Sequence, residues 1–300
     1  MYYNSINEQL KKQYGTKVYK LALSGGMSCP NRDGTIDTRG CIFCSSAGSG
    51  DFAQSFDIDI AAQIEKAKQR VAKKAGDNAK YIAYFQSFTN THASPQYLEN
   101  IFIQAVNHPD IVILSVATRP DCLGDGVLDV LRRVAKIKPL WVELGLQTIH
   151  PKTASYIRRG YPLECYDKAV CDLHSIGATV ITHVILGLPN ETREMMLETV
   201  RYASKGDGVK LQLLHILKGT DLEKGYNEGK VTPLSKEEYL DILSDCVKNL
   251  PKRVVIHRLT GDGDKKLLVA PMWSANKRDV LNSIAKIDIK QGQSLDITIK

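Results

Sequence analysis

Residues 29–44 read CPNRDGTIDTRGCIFC and directly follow Val18–Leu23, an apolar run of strand length. The cysteines of this C-x11-C-x2-C pattern are Cys29, Cys41 and Cys44. Three thiolates can hold three irons of a cubane cluster and leave the fourth iron open to a ligand that is not protein. A zinc site would need a fourth ligand, which His92 after the next strand would have to supply. The cysteines alone therefore leave an iron-sulfur cluster and a zinc ion as alternatives.

Beyond this loop, apolar runs alternate with segments of helical periodicity. The predicted strands are Val18–Leu23, Tyr81–Phe85, Ile111–Ser115, Leu140–Leu144, Thr179–Ile185 and Lys210–His215. The predicted helices cover residues 58–74, 95–107, 124–136, 151–158, 163–176 and 191–204, with two more near 235–249 and 277–286 in the C-terminal part. Strands that alternate with helices imply parallel βαβ units joined by right-handed crossovers. Because no glycine-rich Rossmann fingerprint opens a helix, the sequence predicts an α/β fold of the partial (β/α)6 TIM-type barrel class.

The chain is expected to divide into a barrel and a C-terminal extension packed on it. Residues 1–217 form the barrel with a short N-terminal arm, and residues 218–300 form the extension, with a strand-like run at Val254–His257. Residues 251–300 carry ten Lys and Arg against five Asp and Glu, which is most of the net charge of +7. Such a basic excess fits RNA binding and equally fits a solvated surface without a partner.

The composition is typical of a cytoplasmic protein. No window approaches the eighteen consecutive apolar residues of a membrane span, and the N-terminus lacks the apolar core of a secretory signal. Seven cysteines, an odd number, argue against a disulfide framework. The four outside the loop are predicted to be buried structural thiols. They are Cys122, Cys165, Cys171 and Cys246.

Polar residues follow the predicted strands at the end where parallel barrels carry their chemistry. They include Gln86, Thr118, Gln147, His215 and Lys218. Glu143 lies inside an apolar strand and is either a lumen carboxylate beside the substrate or a paired structural one. Since a buried carboxylate without a partner is costly, Arg119 or Lys210 is expected to pair with it.

The motifs around the cysteines resemble those of the radical S-adenosylmethionine (SAM) superfamily. In that family a three-cysteine loop follows the first strand of a partial (β/α)6 barrel, and an aromatic residue commonly precedes the last cysteine, as Phe43 does. The common gap of three residues is widened here to eleven, which resembles the YhcC-like (YtqA-like) subgroup related to the catalytic subunit of elongator. That subgroup's flanking motifs recur along nearly the whole chain: CPNRDGT, GCIFC, GSGDF, YFQ-x2-TNT, ATRPDCL, VELGLQT, RRG and HVILGLPNET.

The resemblance implies that the three cysteines hold a [4Fe-4S] cluster and that SAM binds its open iron through amino and carboxylate groups. One-electron reduction would then release a 5′-deoxyadenosyl radical that abstracts hydrogen from the substrate. The protein's task becomes orientation and the exclusion of water, because the cofactor supplies the difficult step. An electron donor such as flavodoxin or ferredoxin is the implied protein partner.

The resemblance also assigns residues to SAM. Phe43 matches a position beside the adenine, with an ordinary core aromatic as the alternative. Gln147 and Arg159 match a polar pair that binds SAM in related members, where a guanidinium can grip the methionyl carboxylate bidentately. The neighbouring Arg158 is expected to be solvated. The full set expected to bind the cofactor is Phe43, Gln86, Thr118, Gln147, Arg159, His183 and Gly187.

Besides Phe43, three members of this set depart from the family pattern or have a second interpretation. Gln86 stands where many relatives have a Gly-Gly-Glu turn, which this chain lacks. His183 aligns with a ribose-binding Asp of a relative, and it either bonds a hydroxyl or is a satisfied core histidine. The turn at Gly187 either packs against adenine or simply ends its strand.

These features predict a radical SAM enzyme that modifies a wobble uridine of tRNA, with Glu143 and Lys210 as catalytic residues. The relation to elongator and the basic C-terminal part favour tRNA as the partner. One alternative keeps the radical chemistry and gives it a small metabolite or a peptide as substrate. The other is a metal-binding module without enzymatic activity.

Overall fold

A computed structural model describes residues 2–48, 53–76, 78–261 and 263–292. Residues 49–52 of the GSGDF motif and residues 293–300 of the basic C-terminal part lie outside these ranges. The helices are α1 Ile6–Tyr14, α2 Ile60–Val71, α3 Pro95–Asn107, α4 Asp125–Ala135, α5 Pro151–Tyr156, α6 Leu163–Ser175, α7 Arg193–Ala203, α8 Asp221–Asn227, α9 Lys236–Asn249 and α10 Lys277–Lys286. The strands are β1 Val18–Leu23, β2 Lys80–Phe85, β3 Ile111–Thr118, β4 Leu140–Gln147, β5 Thr179–Leu186, β6 Gly208–Leu213, β7 Ile216–Leu217, β8 Val255–Arg258 and β9 Leu268–Ala270.

Seven parallel strands form one curled sheet in the order β1-β2-β3-β4-β5-β6-β8. Within the described ranges β1 and β8 are the two edges of this sheet and do not pair, so the barrel is partial. The predicted α/β fold and partial TIM-type barrel are confirmed. The sequence places Val254–His257 in the extension, whereas in the structure β8 pairs with β6. The C-terminal part of the chain therefore supplies a strand of the barrel itself.

The helices begin at capping residues that the sequence carries at the expected places. Ser94 accepts a hydrogen bond from the N–H of Tyr97 at 3.3 Å, and Pro95 starts α3 with a preset backbone angle. Ser235 and Glu238 form a reciprocal capping box at the start of α9. Among the described residues, no helix is both long and apolar enough to cross a membrane.

The lumen of the barrel is layered because every second residue of a strand faces the same side. The lowest layer is apolar and is covered by α1; it comprises Ile6, Leu10, Val18, Ile82, Ile113, Trp141 and Ile181. Two residues further along the strands lies a polar layer of Lys20, Tyr84, Ser115, Glu143, His183 and Lys210. An open cavity lies above this polar layer, at the carboxyl ends of the strands.

A second apolar cluster joins the cysteine loop to the C-terminal part of the chain. It comprises Ile42, Ile157, Ile185, Leu188, Leu214, Ile216, Leu222, Val231 and Ala270. The backbone N–H of Leu222 in α8 donates to the carbonyl oxygen of Ile42 at 3.0 Å. Helix α8 thus covers the loop between Cys41 and Cys44 from the side of the C-terminal part.

Candidate active site

The three cysteines come together at the mouth of the barrel, where Cys29, Cys41 and Cys44 all line the cavity. The eleven residues of the gap fold back on themselves. The N–H of Ile36 donates to the carbonyl of Pro30 at 2.8 Å, and the N–H of Gly40 donates to the carbonyl of Asn31 at 2.7 Å. The wide gap is therefore an excursion whose two ends meet, which returns Cys41 to the neighbourhood of Cys29.

The spacing of the cysteine sulfurs does not fit a single zinc ion. Zinc binds a thiolate at about 2.3 Å, so two sulfurs on one zinc lie at most about 4.6 Å apart. In the described part of the chain, the one group of three potential ligands whose atoms all lie within 4.8 Å is Glu65, His108 and Asp110. The three cysteines are not such a group. His92, the alternative zinc ligand, instead meets Asp33, with Nε2 and Oδ2 2.8 Å apart.

The protonation of the Cys41 thiol depends on whether a metal is bound. Burial raises the pKa of the Cys41 thiol to about 11, and the negative charge of Cys44 adds to this. A positively charged metal reverses that preference, because a coordinating thiol loses its proton. The three-sulfur donor set beside an open cavity therefore fits the [4Fe-4S] cluster and the SAM ligand that the sequence predicts.

Two polar side chains hold the cysteine loop in place. Asn31 donates through Nδ2 to the carbonyl oxygen of Arg158 at 2.6 Å and approaches Sγ of Cys41 at 3.4 Å. Arg32 donates to the carbonyl oxygens of Cys44 at 2.9 Å and Ser45 at 2.7 Å. Asn31 thus bonds the cysteine loop to the backbone at Arg158, and this contact lies beside the sulfur of Cys41. Neither Asn31 nor Arg32 is predicted from the sequence to have this role.

The glycine of the RRG motif packs against this clamp. Gly160 has φ +84°, and a Cβ built there would lie 2.6 Å from Oδ1 of Asn31. Gly177 has a similar φ of +77°, but a Cβ there would meet nothing within 4 Å. Alanine substitutions at the two glycines therefore separate the free-energy cost of the left-handed backbone from that of the clash with Asn31.

Replacing Gly160 by alanine is expected to lower the free energy of unfolding and the iron content of the protein. Gly177→Ala should cost about 1–2 kcal/mol for the left-handed backbone alone. Gly160→Ala should cost about 1–3 kcal/mol more, because Asn31 has to move. Urea denaturation and iron per chain measure both effects. Equal losses in the two variants would contradict the clash.

Gln147 and Arg159 both line the cavity, but they differ in their hydrogen bonds. Gln147 has φ +64°, and its Oε1 is buried with no hydrogen-bond partner in the described structure. Arg159 uses four of its five N–H groups on backbone carbonyls: Leu146 at 3.2 Å, Thr148 at 2.6 Å and Tyr161 at 3.0 and 3.1 Å. Its contacts therefore fix the turn after β4, whereas the sequence assigns it to the methionyl carboxylate.

Arg158 is not solvated, contrary to the expectation from sequence. Its side chain is 15% exposed and forms an ion pair with Asp221 of α8. Its Nε and Nη1 atoms are buried without a hydrogen-bond partner. No local pattern distinguishes Arg158 from Arg159, because the partner lies far along the chain.

The other predicted cofactor residues divide by position. Phe43, Gln86 and Thr118 line the cavity, and their contacts with SAM stay predictions. Gly187 does not line it: a Cβ there would meet Leu234 at 3.0 Å. Among the remaining cysteines, the prediction of a buried thiol is right for Cys246 and wrong for Cys171, which is exposed. Two more are half-buried, namely Cys122 and Cys165.

Glu143 is the centre of the polar layer and is 1% exposed. Its Oε1 accepts from Lys20 Nζ at 3.0 Å and Ser115 Oγ at 3.0 Å, and its Oε2 accepts from Tyr84 at 2.8 Å, His183 Nε2 at 2.8 Å and Lys210 Nζ. Of the two partners expected from sequence, Lys210 is right. Arg119 is wrong, because it pairs with Asp121 at 2.7 Å.

The protonation states of this layer follow from burial and its two lysines. Burial alone would raise the pKa of Glu143, but Lys20 and Lys210 outweigh it and hold that pKa well below the usual range. Burial lowers the pKa of Lys210, and the charge of Lys20 adds to this. Burial, with the charge of Lys210, lowers the pKa of His183 to about 4, so its neutral ring donates from Nε2 to Glu143.

Three of these donors were not found from sequence. Lys20, Tyr84 and Ser115 are polar residues inside otherwise apolar strands, as Glu143 is. Their shared position could have indicated them from sequence, because each lies two residues after the apolar-layer residue of its own strand and so faces the lumen. A search for polar residues in that shared phase would have identified the whole group.

Two family models match consecutive parts of the chain. A family model described as the Radical SAM superfamily matches residues 38–203, and one described as the Radical_SAM C-terminal domain matches residues 206–287. YtqA of Bacillus subtilis (strain 168) is 46% identical over 286 residues, which cover 95% of this chain and 88% of that protein. YhcC of Escherichia coli (strain K12) is 39% identical over 277 residues, covering 91% and 88%.

Two further similarities are partial. A tRNA uridine(34) acetyltransferase of Methanocaldococcus jannaschii is 28% identical over 170 residues, which cover 55% of this chain and 31% of that protein. The solved structure of Methanocaldococcus infernus Elp3 with an N-terminal deletion has a TM-score of 0.64 at 18% identity. The match covers 84% of this chain and 58% of the Elp3 chain, and at this identity it supports the fold.

Proposed function

The chain belongs to the radical SAM superfamily, and from this membership we propose that it is an enzyme that modifies a wobble uridine of tRNA. The family uses a [4Fe-4S] cluster and SAM. The observation that carries the substrate assignment is the 28% identity over 170 residues with a tRNA uridine(34) acetyltransferase. The basic excess of residues 251–300 supports the same assignment.

The proposed cluster ligands are Cys29, Cys41 and Cys44. A [4Fe-4S] cluster held by these thiolates would supply the one-electron reduction of SAM and, through it, the removal of a hydrogen atom from the substrate. Asn31 and Arg32 hold the loop, so the sulfurs keep their positions. Apolar side chains on the cavity wall keep water from the reacting atoms; they are Ile157, Ile185, Leu213, Leu214 and Leu217.

The buried amide of Gln147 supports a SAM site on the cavity wall. An acceptor without a partner inside a protein is costly, and a ligand that brings an N–H or O–H group to Oε1 relieves that cost. We assign Phe43, Gln86 and Thr118 to the same wall. Arg159 acts as a positioning residue, since its guanidinium holds the turn that carries Gln147.

The proposed catalytic pair is Glu143 and Lys210, which line the floor of the cavity. Lys210 donates from Nζ to Oε2 of Glu143, and Tyr84 donates from its hydroxyl to the same oxygen. These bonded groups can hold or move a proton at Nζ of Lys210, because its pKa is lowered by burial. A polar group of the substrate at the floor would meet this layer.

Nucleoside analysis of tRNA from a strain lacking the gene tests the substrate. One wobble uridine derivative should disappear and its precursor should accumulate. The wild-type gene should restore the profile, and a Cys41→Ala gene should not. An unchanged profile would refute the tRNA assignment and favour a small metabolite or a peptide.

A separate assay tests the enzymatic chemistry. Anaerobically reconstituted protein with dithionite and SAM should form 5′-deoxyadenosine. If a fully loaded cluster gave none, the metal-binding module without activity would be the better interpretation. The two experiments thus fail independently.

A further inference from the structure

Three lysines lie together on the rim of the cavity and form the lysine rim: Lys218, Lys265 and Lys266. The antiparallel pair of β7 and β9 brings them together, because the N–H of Lys218 donates to the carbonyl oxygen of Leu267 at 2.8 Å. All three side chains are exposed. Sequence alone does not join them, since 46 residues separate Lys218 from Lys265.

The lysine rim borders the mouth of the cavity. Leu217, the residue before Lys218, lines the cavity, and so does Gly263 on the approach to Lys265. Gly261 packs closely on this edge, because a Cβ there would lie 2.7 Å from the ring of His215. A substrate that enters the cavity on this side therefore passes the three ammonium groups.

No ion pair with a described residue neutralises the charges of the lysine rim. Within the described ranges none of the three lysines takes part in an ion pair, whereas the nearby Lys224 and Lys230 pair with Asp221 at 2.8 Å and Glu228 at 2.7 Å. Two described carboxylates near the rim in sequence accept hydrogen bonds from backbone N–H groups. Asp264 accepts from the N–H of Lys266 at 2.9 Å, and Glu223 accepts from the N–H of Gly219 at 2.7 Å.

We propose that the lysine rim binds phosphates of the RNA backbone beside the nucleotide that enters the cavity. This inference rests on the proposed function and adds the surface that holds the substrate. Exposed lysines act as mobile point charges, which suits sequence-independent contact with phosphates. Each phosphate that is neutralised releases condensed counterions, so binding through the rim has to weaken as salt rises.

The test compares two triple variants of the cluster-loaded protein. Lys218, Lys265 and Lys266 are replaced by glutamine in one. In the control Lys11, Lys12 and Lys136 are replaced by glutamine; these are exposed lysines of α1 and of the turn after α4, at the opposite end of the barrel. Both variants lose three positive charges, so they differ only in where the charge is lost.

Binding of a fluorescently labelled tRNA transcript is followed by fluorescence anisotropy at KCl concentrations from about 50 to about 300 mM. The rim variant should bind about tenfold more weakly or worse at 100 mM, and its slope of log Kd against log salt should fall by about 2–3, one phosphate per lysine. The control variant should stay within about twofold of wild type. Iron content and the midpoint of unfolding establish that both variants are intact.

The outcomes separate the two proposals. If wild type shows no salt-sensitive tRNA binding, the proposed function itself fails. If wild type binds tRNA and the rim variant matches the control variant, the lysine rim proposal alone is overturned. If the rim variant binds tRNA normally but is no longer reduced by flavodoxin, the rim is a protein-docking surface and the assignment to RNA is wrong.

Discussion

Cys41→Ala is expected to leave the protein folded but without a stable [4Fe-4S] cluster, and 5′-deoxyadenosine formation should fall to background. Loss of groups that merely orient a metal ligand costs about 10–100-fold, so loss of a ligand itself should exceed about 100-fold. The same result is expected for Cys29→Ala and Cys44→Ala. Iron and sulfide per chain, the visible absorption of the cluster and 5′-deoxyadenosine yield under dithionite measure the effect.

The chain offers matched controls for this experiment. Cys122 and Cys165 are half-buried thiols outside the cavity wall, and Cys171 is exposed. Alanine at any of these three positions should retain iron and 5′-deoxyadenosine formation within about twofold. If Cys122→Ala lost as much iron as Cys41→Ala, the assignment of the three ligands would be incorrect.

Replacing Glu143 by glutamine is expected to destabilise the protein more than any other replacement of a charged side chain in the barrel by a neutral one. The carboxylate accepts from Lys20 and Lys210 inside the lumen, and an amide of the same shape leaves their charges without a counter-ion. Breaking a buried pair by removing one partner costs about 3–5 kcal/mol. The free energy of unfolding from urea denaturation should fall by that amount, with an unchanged dependence on urea concentration.

An exposed pair supplies the control for Glu143. Glu99 meets Arg133 on the surface, with Oε1 and Nε 2.6 Å apart and the side chains 40% and 49% exposed. Glu99→Gln should cost less than about 1 kcal/mol. The double variant Glu143→Gln with Lys210→Met should recover part of the lost stability, because it also removes one of the two unpaired cations. A cost for Glu143→Gln no larger than that for Glu99→Gln would show that the layer is not an ion-paired core.

Local patterns predicted most of the fold. The strand Val18–Leu23 and the helices at 95–107 and 277–286 agree with the structure to the residue. The strand is recognisable as a continuous apolar run. The two helices begin at capping residues: Ser94 precedes Pro95, and Asn276 accepts a hydrogen bond from the N–H of Asp279. Such signals lie within a few residues of the element that they define.

The remaining features depend on contacts between distant segments. Val254–His257 is predicted as a strand, but nothing in its sequence indicates that it pairs with β6 and becomes part of the barrel. Arg159 reads as a cofactor ligand, and only the turn at Leu146 and Thr148 shows what its guanidinium binds. The motif that indicated the family therefore identified cysteines that line one cavity, but it did not give the contacts of each side chain.

The bond from Leu222 to Ile42 has a consequence for the order of assembly. Residue 42 leaves the ribosome 180 residues before residue 222, so the thiols of the loop emerge long before their cover exists. Strand β8, which completes the barrel sheet, is made later still. Iron-sulfur delivery during synthesis would meet an unformed, open loop, whereas delivery after synthesis would meet a loop whose three thiols line the mouth of the barrel. The order of assembly therefore sets the side from which a cluster enters, because docking of α8 covers the loop at Ile42 and leaves the cavity side open.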